Sequence, residues 1–359
     1  MKKLLFAAYS LEVGGIEKAL VILANELQKK GYDITIILEK KQGIFLEELN
    51  KEIHVLEYKP DESQNFIQRK LKNLIKRVKF WLKYRNSFDF SACFATYSLP
   101  ASFISRVASK NCCLWGHADY FTLFEQDKNK MKEFFEKRKY QKFKHVIFVS
   151  EEGKESFIKL FPEMKKKTMV CNNLIDSDKI RKMAKEEIEY KKSPNKITFL
   201  NVGRHDEKQK KLKRIIEASK KLKQDGYEFQ VLLVGDGPDS QFYKEKVEQE
   251  RLEDTIKFLG KKKNPYPYYK IADCVLLTSD YEGYPVVFLE SFILKVPIIT
   301  TKVSDFKEVE GKYGMIAEKN TQDVYKKMKT FIEKGFSIQE EFNSEKYNQE
   351  IMKKLEEIF

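Results

Sequence analysis

The sequence predicts an α/β protein of two doubly wound domains, each a parallel sheet with helices on both faces, facing each other across a cleft. Three observations carry that prediction. Short apolar runs alternate with stretches of helical period. The alternation breaks at a charged segment, DSDKIRKMAKEEIEYKKSPN (176–195), and then starts again. The 359 residues suffice for two cores of ordinary size.

In the first half, KKLLFAAYSL reads as a buried strand, followed by the loop EVGG and an amphipathic helix ending at Gly31. A signal peptide is the competing reading of that start, but Glu12 follows at once and no small-residue cleavage site is evident. DITIILE and IHVLEY are strands, residues 66–86 a helix, and FSACFATY, NCCLWGH and HVIFVS strands. Ser150 then caps the helix EEGKESFIKLF, and TMVCNNLID ends the half. The second half runs ITFLNVGR (strand), LKRIIEASKKLKQDGY (helix), FQVLLVGDG (strand), FYKEKVEQERL (helix), TIKFLG (strand), PYPYYKIA (short helix) and CVLLTS (strand). A helix over 285–294, the strand VPIITT and a last helix near 344–357 follow. The expected domains are 1–175 and 176–343, with 344–359 a helix packing back toward the first.

Of the 68 basic and 54 acidic residues, 32 and 21 lie in 1–175, so +11 of the formal +14 belongs to the first domain. FIQRKLKNLIKRVKFWLKYRN (66–86) holds eight basic residues and no acid, with Ile67, Leu71, Leu74, Ile75, Val78 and Leu82 at helical spacing. A solvated surface helix is one reading. A helix lying in the plane of an anionic membrane, with Phe80 and Trp81 at the interface, is the one the basic amphipathic pattern favours. A nucleic-acid surface lacks any supporting motif. No run of about 18 apolar residues occurs, so no spanning helix is expected. The five cysteines have no metal-ligand spacing and read as reduced thiols in cytosol.

Ligands of doubly wound sheets bind at the carboxyl ends of the strands, where the loops carry suitable chemistry. Gly14-Gly15 leads into a helix and lets backbone N–H groups approach an anion, although a plain tight turn has the same signature. Gly116-His117 follows another strand. Gly203-Arg204 precedes a run with Lys208, Lys210, Lys211 and Lys213. Gly235-Asp236-Gly237 lacks the third glycine of a dinucleotide fingerprint. SDYEGYPVVFLES (279–291) sets Glu282 and Glu290 at the two ends of an apolar run, and an unpartnered buried carboxylate is costly. A helix from about Pro285 would aim the N–H groups of 283–286 at a phosphate. Cations and N–H donors for a diphosphate, with carboxylates for hydroxyl groups, describe a sugar-nucleotide site.

The segment Glu282 to Glu290 closely resembles the E-x7-E motif of glycosyltransferase family four, the retaining, sugar-nucleotide-dependent enzymes of GT-B fold. Gly14-Gly15-Ile16-Glu17 is similar to the family's glycine loop, and His117 falls where it often has a histidine. Asn172 to Asp176 resembles its N-P-x-D segment, with Asn173 in place of proline. Val202-Gly203-Arg204 and Gln209-Lys210 look like its basic pair, Gly235 to Pro238 like its glycine turn, and Asn264-Pro265-Tyr266 like its short helix.

The resemblance implies that Arg204 and Lys210, the latter chosen over Lys211 by its Q-K context, hold the donor diphosphate. Glu282 would lie by the donor sugar, with Gly203, Gly283, Tyr284, Pro285 and Val286 around the donor. Glu290 would accept from the ribose, Gly15 would lie over the phosphates, and His117 would lie near the sugar or acceptor hydroxyl. Thr301-Lys302-Val303-Ser304 departs from the pattern by lacking a glycine. Such a site needs no metal and no cofactor. Asp176-Ser177-Asp178, the D-x-D pattern of metal-dependent transferases of another fold, lies in the interdomain joint.

The expected activity is transfer of a hexosyl unit from a nucleotide sugar, UDP-hexose favoured, to a glycan or undecaprenyl-diphosphate-linked acceptor in bacterial capsule, exopolysaccharide or lipopolysaccharide assembly. The expected location is cytoplasmic, against the inner face of the plasma membrane. The alternatives are a nucleotide-sugar 2-epimerase of the same fold and a non-catalytic basic membrane-surface protein.

Overall fold

The computed structural model describes residues 1–12 and 14–359. The chain divides into two compact units, Met1–Ile175 with Glu345–Phe359, and Asp176–Ser344.

The first unit is built on seven parallel strands: β1 (Lys3–Ala8), β2 (Asp33–Leu38), β3 (His54–Glu57), β4 (Phe90–Cys93), β5 (Cys112–Gly116), β6 (His145–Phe148) and β7 (Thr168–Val170), in the order β3-β2-β1-β4-β5-β6-β7. The chain therefore winds outward from β1 to one edge, then returns and winds to the other from β4. Leu4, Leu5, Phe6 and Ala7 of β1 are wholly buried, as a central strand covered on both faces requires. Helices α1 (Gly15–Lys29), α2 (Phe66–Tyr84), α3 (Leu99–Ala108), α4 (Tyr120–Leu123), α5 (Lys128–Lys137) and α6 (Glu151–Leu160) complete this part of the unit. An aromatic cluster ties them to the sheet. Phe135 meets Tyr120, Phe148, Phe157 and Phe161 with ring centroids 4.8–6.5 Å apart, in edge-to-face geometry.

Helix α2 behaves differently. Asn65 caps it through its side-chain oxygen, yet Phe80 is its only buried residue. Ile67, Leu71, Leu74, Ile75, Val78 and Leu82 all lie exposed on one stripe.

The second unit has six parallel strands, β8 (Ile197–Val202), β9 (Phe229–Val234), β10 (Ile256–Gly260), β11 (Cys274–Leu277), β12 (Ile298–Thr301) and β13 (Gly314–Ala317), ordered β10-β9-β8-β11-β12-β13. Its helices are α7 (Ser177–Met183), α8 (Lys213–Gln224), α9 (Ser240–Gln249), α10 (Tyr266–Ile271), α11 (Val286–Ile293) and α12 (Thr321–Lys334). The last helix, α13 (Ser344–Glu356), belongs to the first unit from Glu345 on. Its Asn348 clasps Ile175, accepting from the backbone N–H at 3.0 Å and donating to the carbonyl at 2.8 Å.

Several regular segments escape the periodicity reading. The charged joint contains α7, capped by Asp176, whose side chain accepts from the N–H of Lys179. Half of the D-x-D triplet is thus a helix cap, and Asp178 is solvent-exposed beside Arg181. Helices α3 and α12 are also passed over, although Ser98 followed by Pro100, and Asn320 ahead of Asp323, are legible cap signals. So are the short α4, α5 and the edge strand β13.

Candidate active site

In each sheet the winding reverses once, between β1 and β4 and between β8 and β11, and such a switch point opens a crevice at the strands' carboxyl ends. At the second switch point, the buried Asn201 donates to the Leu276 carbonyl at 2.8 Å and joins β8 to β11 beyond their short ladder. The loops leaving these strands, 203–212 and 278–285, therefore lie side by side.

Lys210 and Glu282 meet there, with Nζ 2.6 Å from Oε1. Both are largely buried, the side chains 17% and 10% exposed, so the pair is well shielded from solvent screening. Ser279 donates to the same carboxylate at 2.6 Å. Gly203 lies beneath the Lys210 stem, where an added Cβ would rest in ordinary contact. Gly235 is more constrained. Its φ of +151° and the Gly203 carbonyl against it leave no room for a side chain, and Gly237 presses equally on the His205 backbone. The glycine turn thus serves close packing of two loops.

Arg204 projects outward, 61% exposed, and its guanidinium lies 2.8 Å from Asp206. Lys211 pairs with Asp280 at 3.6 Å, not with Glu282, and Arg214 grips the other oxygen of Asp280 at 2.6 Å while donating to the Thr278 carbonyl. The segment from the end of β12 to Ser304, which lacks the family's glycine, braces this loop through hydroxyl groups. Thr301 donates to the Ser279 carbonyl at 2.6 Å and Ser304 to the Glu282 carbonyl at 2.9 Å.

Gly283, Tyr284, Pro285 and Val286 lead into α11, with Pro285 at its cap position, and the first N–H groups of a helix have no partner within it. Tyr284 is anchored by its hydroxyl to Glu308 at 2.6 Å. Glu290 lies inside α11 and is buried; its carboxylate accepts from Tyr269 at 2.7 Å and Tyr266 at 3.3 Å. Burial, with the adjoining carboxylate, pushes the Tyr269 hydroxyl well above its ordinary range. Two tyrosines of α10 thus supply the partners that a buried acid requires.

The other two expected site residues lie in the first unit. Gly15 opens α1, and a Cβ there would meet open space, so nothing in the described protein demands a glycine. His117 follows β5 with its ring 4.5 Å from Phe94 and parallel to Trp115 at 6.3 Å. Both ring nitrogens are covered and have no hydrogen-bond partner among the described residues. Burial pushes its pKa down to about 3, so the ring is neutral. A ligand reaches those nitrogens only after covering groups move.

Arg138, which no motif signalled, organises the loop beside His117. It is buried, donates to the carbonyls of Thr96, Tyr97 (2.9 Å) and Phe134 (2.6 Å), and stacks 3.3 Å over the Phe134 ring. Thr96 in turn donates to the Trp115 carbonyl, and Ser98 to the buried carboxylate of Glu39. Among the described residues no cluster of three or more His, Cys, Asp or Glu is placed to hold a metal ion, and no helix is long and apolar enough to cross a membrane.

Comparison with known proteins gives consistent matches. The family model Glycosyltransferase Family 4 matches residues 13–179, and Glycosyl transferases group 1 matches residues 182–349. An uncharacterized glycosyltransferase of Methanocaldococcus jannaschii is 27% identical over 166 residues, 45% of this chain but only 41% of that protein. The match to an N-acetylgalactosaminyltransferase of Campylobacter jejuni, which by its name acts on N-acetylgalactosamine-N,N'-diacetylbacillosaminyl-diphospho-undecaprenol, is 26% identical over 345 residues, 93% of this chain and 91% of the relative. Among solved structures, Anabaena HepE in complex with UDP and glucose superposes with a TM-score of 0.78 at 19% identity, covering 99% of this chain and all of that one. The lipopolysaccharide outer core galactosyltransferase WaaB superposes at 0.68 and 15% identity, covering 98% and 95%. The architecture is that of GT-B proteins: two parallel-sheet, Rossmann-like α/β domains.

Proposed function

Because this chain belongs to the family-four glycosyltransferases, we propose that it moves a hexosyl unit, with retention of configuration, from a nucleotide sugar of the UDP-hexose type to a lipid-linked or growing surface glycan. The observation that carries this is the meeting of Lys210 and Glu282 at the switch point of the second sheet, with Arg204 beside them and the start of α11 following. In this reading Lys210, Arg204 and the first N–H groups of α11 bind the diphosphate and stabilise its charge as the glycosidic bond breaks. Removing one such donor costs about 2.7–4 kcal/mol of barrier in other enzymes. Glu282, released from Lys210 by the arriving phosphate, accepts from sugar hydroxyls. Glu290, held by its two tyrosines, accepts from the ribose. These groups act without a metal. The acceptor belongs to the first unit, whose excess positive charge suits a lipid diphosphate.

The test is release of nucleoside diphosphate from a panel of UDP-, GDP- and ADP-hexoses, with and without a lipid-linked glycan extract. Acceptor-dependent release is expected, with loss of about a hundredfold or more in R204A and in E282Q while both stay folded. Unchanged turnover in either variant removes the site assignment. Acceptor-free interconversion of donors would instead establish a 2-epimerase.

We place the protein on the cytoplasmic face of an anionic membrane through α2. Its support is the exposed apolar stripe flanked by eight basic residues. Wild type should co-sediment with phosphatidylglycerol vesicles and a variant neutralised across 69–85 should not; equal binding rejects α2 as the anchor.

A further inference from the structure

Gln209 lies between Arg204 and Glu282, and its amide both accepts and donates. Its Oε1 accepts from the Arg204 guanidinium at 3.3 Å. Its Nε2 donates to the Glu282 carboxylate at 3.3 Å and to the Tyr281 carbonyl at 3.2 Å. The main chain of the same residue is fixed independently, its N–H donating to Asp206 at 3.2 Å and its carbonyl accepting from the Asp280 N–H at 2.8 Å. The two loops are therefore also joined through the main chain of Gln209, while its amide links the two charged groups.

Only an amide of this length does both jobs. An ionised carboxylate accepts from Arg204 but has nothing to donate to Glu282; an ammonium donates but cannot accept; asparagine is one methylene short. The demand sharpens when a donor binds. Once Lys210 turns to a diphosphate, Glu282 keeps Ser279 and Gln209 as its neutral donors. Arg204, mostly in solvent, is steered by Gln209 and Asp206. We infer that Gln209 is a positioning residue that keeps the Arg204 guanidinium and the Glu282 carboxylate aligned to one another through turnover, an inference that rests on the transferase reading above.

A group that aligns two others acts mainly on the step in which both are engaged, so kcat should fall more than KM for the donor rises. Q209M keeps the volume and removes both links. Q209E keeps the shape and the acceptor but sets a negative charge against Glu282. Protonating that new carboxyl supplies an O–H donor again, so its defect should be relieved by acid.

The experiment follows nucleoside diphosphate release from the hexose panel, with the glycan extract, for wild type, Q209M, Q209E, R204A and E282Q between about pH 5.5 and 8.5, spanning the approach to the carboxylate range. Q209M should lose about tenfold or more in kcat, with KM changed less than about threefold. Q209E should lose more at high pH, and its rate relative to wild type at the same pH should climb as the pH falls. If R204A and E282Q are crippled while Q209M and Q209E match wild type, the inference fails and the site assignment stands. A Q209E defect that does not vary with pH also overturns it, because the donor to Glu282 returns when the new carboxyl is protonated. If R204A and E282Q themselves turn over normally, the transferase site has been misplaced and the inference falls with it.

Discussion

The carboxyl ends of the two sheets share one winding and differ in how their charges are spent. At the second sheet four cations near the switch point face side-chain acids: Lys210 with Glu282, Lys211 and Arg214 with Asp280, Arg204 with Asp206. Such pairs can be exchanged, because an incoming phosphate can replace a carboxylate at little net electrostatic cost. At the first sheet the buried cation, Arg138, is committed to main-chain carbonyls, and the nearby imidazole is neutral. Those carbonyls cannot leave without unravelling a loop. One edge carries pairs that an anion could exchange and the other keeps fixed contacts, the difference on which the proposed donor placement relies.

The sharpest way to break this comparison is to separate neighbouring cations. K210M should lower turnover about a hundred- to a thousandfold, as loss of a charge-stabilising donor does, whereas K211M should stay within about threefold of wild type; equal losses would show that the pairing with Glu282 has no special weight. Y269F removes a donor from the buried Glu290 and should destabilise the protein by about 1.5–3 kcal/mol, the range for hydrogen bonds to charged groups, read from urea unfolding. No change would mean that Glu290 is adequately held without it. The mildest effect concerns the rigid edge. Between about pH 6.5 and about 3 the unfolded chain protonates the imidazole of residue 117 while the folded chain does not. Folding is therefore increasingly penalised as the pH falls through that window, and the penalty is absent above it. H117F should lose less stability than wild type over the same range. His145 and His205 are also shifted down by burial, so the slope should be reduced rather than abolished. Parallel curves would place a proton on His117 in the folded state.

The alternation of strands and helices, the restart after the charged joint, and the charged loops were legible in the sequence because period and composition are local properties. The partners of the site residues were not. Gln209 flanks Glu282 only because β8 lies beside β11, and nothing in 72 intervening residues states that strand order; Ser279, three residues before Glu282, is a local partner. Tyr266 and Tyr269 stood in a short helix with no sign that their hydroxyls reach an acid 24 and 21 residues on. The position of His117 could be read, but not the packing of its ring against Phe94 at the end of the neighbouring strand β4, beside Trp115 of its own strand. For 66–86 the helical stripe was visible, while its lack of cover was not, since apolar periodicity ordinarily marks a face turned to the core.

The five cysteines, all unpaired and all buried, have a practical consequence. Burial raises the pKa of each thiol, so the reactive thiolate is scarce and shielded in the folded chain. Four of them sit in the first unit and Cys274 alone in the second. Alkylation followed by mass spectrometry would therefore act as a clock with two hands, timing the opening of each half of the molecule from the same sample.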